Sequence, residues 1–65
     1  MRFGKMLEIQ RVTLDMTQQE VADAIGVNVA TYGRWERGVN KPMRALEEKL
    51  REVLKIDELI VEEVS

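Results

Sequence analysis

Apolar residues recur at helical intervals along most of this chain. Phe3, Leu7 and Leu14, with Met6 and the polar Arg11 on nearby turns, keep that spacing, so residues 2–14 read as a first helix. Asp15 stands where a helix ends in a left-handed residue, a conformation Gly prefers and Asp or Asn tolerates. The next signal is local: Thr17 can cap a second helix while Glu20, three residues on, reaches back to the cap, and Met16 can staple onto Val21. Val21, Ala22 and Ile25 form its apolar face, and Gly26 cuts it short.

Asn28 is a good cap for a third helix from Val29 to Arg37, closed by Gly38. Two short helices are thus joined by a tight turn. A loop follows in which Pro42 suits the neighbourhood of the first turn of a fourth helix, whose Leu46, Leu50, Val53 and Leu54 keep helical spacing to about Lys55. For the remainder the pattern serves either a short helix capped by Asp57 or, with Ile60, Val61 and Val64, an edge strand. The expected fold is all-α: four short helices plus a C-terminal helix or strand.

Projected at helical spacing, residues 29–37 separate into two faces. Tyr32 and Trp35 fall on one side, where they would pack onto Val21, Ile25 and Leu50. Val29, Ala30, Gly33, Arg34 and Arg37 fall on the other. That outer face is small near the N-terminus and basic further along, and its Gly costs the helix about 1 kcal/mol relative to Ala. A solvated surface does not need such a face, but a thin cationic helix can approach another surface closely. In the DNA major groove its first residues would meet base edges, where Arg takes guanine O6 and N7 together and Val29 and Ala30 meet a thymine methyl.

Composition narrows the chemistry. Sixty-five residues allow one small domain, and 45% hydrophobic with 34% charged residues is the balance of a charge-coated helical domain. The chain has no cysteine and no histidine, so thiolate chemistry, zinc ribbons and the usual general base are missing. No enzyme activity, metal, cofactor or small-molecule ligand is expected, and the carboxylates of Glu47, Glu48, Glu52, Glu62 and Glu63 read as a solvated face. No apolar run suits a membrane span or a signal peptide, so a cytoplasmic protein is expected. The net charge of -2 divides unevenly: residues 1–44 carry +2 and residues 45–65 carry -4, which suggests different partners for the two parts.

Thr17-Gln-Gln-Glu-Val-Ala-Asp-Ala-Ile-Gly-Val-Asn, then Tyr-Gly-Arg-Trp-Glu-Arg-Gly and Lys-Pro, resembles the helix-turn-helix of the lambda-repressor and Cro-like (XRE-type) transcriptional regulators over about residues 3–54. The resemblance implies a lambda-repressor-like domain that binds double-stranded DNA. It puts Gln18 on phosphate or an outer base edge, and Val29, Ala30, Thr31, Gly33 and Arg34 toward bases. Asn28, Arg37, Asn40, Lys41 and Arg44 would hold phosphates, and Arg11 and Glu36 would pair between the first and third helices. An exposed, solvated side chain or a phosphate contact is the alternative for Arg11. Asp15 replaces the Gly common in the family before the second helix, and Val29 and Ala30 lack the side-chain amides that often read adenine there. Readout would therefore lean on Arg34, thymine methyls and DNA shape.

The chain divides, on this reading, into a DNA-binding domain over 1–56 and an acidic segment over 57–65. Leu59, Ile60, Val61 and Val64 are more apolar residues than a short exposed tail needs, so they are candidates for a homodimer contact on a palindromic operator. Completing the monomer core is the alternative for some of them. A different class of function also remains open: a protein-binding antitoxin or adaptor whose acidic end engages a basic partner.

Overall fold

A computed structural model describes residues 2–56. They form four helices, α1 (Phe3–Thr13), α2 (Gln18–Ile25), α3 (Val29–Arg37) and α4 (Arg44–Leu54), with no strand among the described residues. The fold is all-α. The conformation of residues 57–65, and the contacts expected of Leu59, Ile60, Val61 and Val64, lie outside the described residues.

Local chemistry explains where each helix stops and starts. Leu14 closes α1, and Asp15 takes the left-handed conformation at φ 60. Thr17 and Glu20 make the reciprocal capping box at the head of α2: the Thr17 hydroxyl accepts from the Glu20 N–H at 3.0 Å, and the Thr17 N–H donates to the Glu20 carboxylate at 2.8 Å. Gly26, at φ 93, ends α2 with its N–H donated back to the Ala22 carbonyl. Asn28 Oδ1 accepts from the Thr31 N–H at 2.8 Å to start α3, and Gly38, at φ 77, ends it.

At the head of α4 Met43 is the cap and Arg44 the first helical residue, with buried Pro42 directly before them, in the neighbourhood of the first turn. At the other end Lys55 adopts φ 56, a conformation that costs a residue with a Cβ roughly 1 kcal/mol or more. That turn drops Ile56, the last residue of the expected domain and just beyond the helical spacing of α4, into the core, fully buried.

The core is one cluster drawn from every helix: Leu7 of α1, Val21, Ala22 and Ile25 of α2, Tyr32 and Trp35 of α3, Leu50 and Leu54 of α4, and Ile56. Each large side chain removed from water contributes about 1.5–3 kcal/mol, against which the chain entropy of a domain this small is nearly as large. Tyr32 and Trp35 meet edge to face, with ring centroids 6.1 Å apart. They anchor α3, whose other contacts run to α1 and α2, while α4 closes the base under α1 and α2.

Gly4 sets how closely α1 approaches α3. A Cβ built there would lie 2.5 Å from the Trp35 carbonyl oxygen and 2.6 Å from that of Glu36. Only a residue without a side chain lets the first turn of α1 rest on the backbone at the end of α3.

Candidate nucleic-acid interface

The exposed side of α3 is held by a polar cluster behind it. Arg11 of α1 donates from Nε to Glu36 Oε2 at 2.7 Å and from Nη1 to the Met16 carbonyl at 2.9 Å. Gln18, the first residue of α2, donates from Nε2 to the other carboxylate oxygen of Glu36 at 2.8 Å. One carboxylate thus ties three helices together. The side chains of Arg11 and Glu36 are only 16% and 6% exposed, so removing either would leave a poorly hydrated charge. Burial alone would raise the Glu36 carboxyl, but hydrogen bonding from Arg11 and Gln18, with the Tyr32 hydroxyl facing it, outweighs it and holds it below its ordinary value. The Tyr32 hydroxyl is itself fully buried and meets no partner at good hydrogen-bonding geometry. Burial first, and then the Glu36 carboxylate, push its ionisation far above the ordinary range.

The residues expected on the outer face do not share one environment. Ala30, Arg34 and Arg37 are exposed, Val29 and Thr31 are half-buried, and Gly33 is buried. Val29 packs against the core at the entry to α3. Gly33 is covered by two side chains: a Cβ there would meet Arg37 Nη1, from α3 itself, at 3.4 Å and Gln18 Oε1, from the head of α2, at 3.9 Å. A helical projection sorts residues by angle and takes no account of the neighbouring helix, which is why it leaves Val29 and Gly33 bare.

Two of the polar candidates are partly engaged within the protein. Asn28 spends its side-chain oxygen on the cap of α3, leaving its amide group, and Gln18 spends its amide group on Glu36, leaving its oxygen. Asn40, Lys41 and Arg44 are exposed on the loop after α3 and at the head of α4. With Arg34 and Arg37 they form a basic rim in which no Lys or Arg makes an ion pair among the described residues. Three cations outside the rim are paired: Arg11 with Glu36, Lys5 with Glu8 at 3.3 Å, and Arg51 with Glu47 at 3.0 Å while lying over the Phe3 ring. Unpaired cations around a protruding helix make a local positive field on a chain of net negative charge.

Two short helices joined at a left-handed glycine, the second propped outward by a buried carboxylate, match the model of the helix-turn-helix family over residues 7–60. The chain belongs to the Cro/C1-type (XRE-like) helix-turn-helix family. It is a DNA-binding helix-turn-helix regulator, with α2 and α3 as the motif. No curated protein and no solved structure matches the chain significantly. No helix among the described residues is long and apolar enough to cross a membrane.

Sequence reasoning passed over Gly4, although a Gly inside a helical pattern costs about 1 kcal/mol relative to Ala and so asks for a packing reason. It also passed over Arg2, whose place beside Asn40 and Lys41 comes only from the packing of α1 on α3.

Proposed function

We propose that this helix-turn-helix regulator is a sequence-specific repressor that reads operator half-sites in the major groove with α3, as a homodimer. The observation that carries the reading is the exposed basic side of α3, in which Ala30 and Arg34 stand out over a buried Gly33 while Glu36 fixes the helix from behind. Arg34 reads guanine, Ala30, Val29 and Thr31 meet neighbouring base edges, and Gly33 allows close approach. Arg37, Asn40, Lys41, Arg44 and the free amide of Asn28 hold phosphates, fixing register without reading sequence. Gln18 contributes its remaining side-chain oxygen at an outer base edge, and orients α3 through Glu36. Such a regulator works in the cytoplasm, with no cofactor or small-molecule ligand, and is controlled by its concentration and its dimerisation.

One helix-turn-helix reads few base pairs, and two-fold related half-sites about one helical turn apart supply the missing specificity. In this reading residues 57–65 form the dimer contact through Leu59, Ile60, Val61 and Val64. Selection from random duplexes tests the function: enriched half-sites related by a dyad are expected. Arg34→Ala should cost about 1–3 kcal/mol on the selected site and flatten preference at one base, whereas Lys41→Ala should weaken all sequences alike. No enrichment would sink the repressor reading in favour of a protein-binding antitoxin or adaptor, for which the acidic end is the candidate surface. Ile60→Asp should abolish the dimer in sedimentation and weaken operator binding; a wild-type monomer at high concentration would refute the dimer.

A further inference from the structure

A groove of about 310 Å³ runs between the first turn of α1 and the loop that leaves α3, lined by Arg2, Phe3, Gly4, Trp35, Asn40 and Lys41 among others. Its floor is apolar, from Phe3, Gly4 and Trp35, and no carboxylate lines it. Arg2 and Lys41 are both exposed, and neither makes an ion pair among the described residues. A neighbouring cleft shares Arg2 and adds Lys5 and Arg37, but it also carries Glu8 and Glu36, which offset most of its positive charge, whereas no carboxylate offsets Arg2 and Lys41 in the first groove. The groove also continues the basic rim of the interface, because Asn40 and Lys41 belong to both.

We propose that this groove takes the DNA sugar-phosphate backbone outside the half-site, with Arg2 as a further phosphate-contacting residue. The phosphate lies between Arg2 and Lys41, and the deoxyribose rests on the apolar floor. Arg2 comes from the start of α1, which Gly4 brings down onto the end of α3, so the packing that seats the recognition helix also brings this cation beside the loop. The footprint of the protein on the backbone is thereby longer than α2, α3 and their loops alone would make it. The contact carries no sequence information and appears in affinity and salt dependence.

The proposal rests on the DNA-binding reading above, and the test separates the two. The full chain and its Arg2→Ala, Arg2→Lys and Arg34→Ala variants are titrated by fluorescence anisotropy against the selected operator duplex at several salt concentrations. Arg2→Ala should reduce the slope of log K against log salt by about 0.9, which at physiological salt is a loss of about fivefold, with base preference unchanged. Arg2→Lys should keep the wild-type slope. Ethylation of a backbone phosphate outside the half-site should weaken the wild type and leave Arg2→Ala unaffected. Arg2→Ala with wild-type affinity and slope, while Arg34→Ala loses its base preference, would overturn the groove and leave operator reading intact. A wild-type chain that binds no duplex would overturn both.

Discussion

Replacing Gly4 by Ala sets two effects of opposite sign against each other. Helix propensity favours the change: Ala is better than Gly by about 0.8–1.0 kcal/mol in a helix interior. Packing opposes it. The new methyl would lie 2.5 Å from the Trp35 carbonyl oxygen and 2.6 Å from that of Glu36, where an ordinary carbon–oxygen contact is about 3.3–3.6 Å. Both atoms belong to the backbone, so no side chain can swing aside, and α1 must lift from α3 by roughly 0.8 Å. A gap of that order forfeits about a quarter to a half of the dispersion energy of each contact it opens, and overpacking typically costs about 1–3 kcal/mol or more. Two rigid backbone oxygens struck at once put the cost at the upper end of that range, and subtracting the propensity gain leaves a net loss of roughly 2 kcal/mol, which for a domain of this size lowers Tm by about 8–16 °C. Far-UV circular dichroism gives the transition, and Trp35 fluorescence reports locally because it is the sole tryptophan. A Gly4→Ala variant as stable as the wild type, or more so, would refute the close approach and return the position to simple propensity.

Gly33→Ala should behave in the reverse way. Its Cβ would meet only the ends of the Arg37 and Gln18 side chains, at 3.4 and 3.9 Å, so stability should rise by about 0.5–1 kcal/mol while operator affinity falls roughly tenfold as the methyl enters the face toward DNA; unchanged affinity would remove Gly33 from the interface. Glu36→Gln should cost about 2–4 kcal/mol in urea unfolding at neutral pH, since it strips the counter-charge from a half-buried Arg11. The pH dependence follows from the same group. Its carboxyl is held below 4.5 in the folded chain, so its contribution is complete above that value and is lost as pH falls through the folded-state value. Wild-type stability should therefore drop in the acid range more steeply than that of Glu36→Gln, and parallel curves would refute the assignment. Tyr32→Phe removes a buried hydroxyl with no well-placed partner and should leave urea midpoints within about 1 kcal/mol of wild type; a larger loss would show that the hydroxyl is bound to Glu36.

Helix boundaries were legible because their causes are local. The Thr17–Glu20 box, the Asn28 cap and the left-handed Asp15, Gly26 and Gly38 each depend on a few adjacent residues, and these positions have the required residue types. The inward aromatics and the outward Arg34 followed from spacing alone, since three residues turn a helix most of the way round. The family motif was legible for the same reason, its turn and closing phrase being contiguous.

What required the tertiary structure was every distance between segments remote in the chain. Nothing near Gly4 in sequence says that the carbonyls of Trp35 and Glu36 lie against it, nor does anything near Arg2 announce Asn40 and Lys41. Gly33 and Val29 look exposed in a helical projection; the side chains of Arg37 and Gln18 cover the first, and the second packs against the core. Ile56 lies past the helical spacing of α4 and becomes core because Lys55 turns left-handed, a conformation its residue type does not favour and that burial of the next side chain offsets. The Glu36 cluster is the middle case: the family resemblance pointed to Arg11, but Gln18 joined it only when α2 and α3 were packed. Sequence determines local conformation because capping and turn preferences act within one helical turn. The position of α3 is decided by steric contact and hydrogen bonding between helices, whose energies depend on the assembled distances.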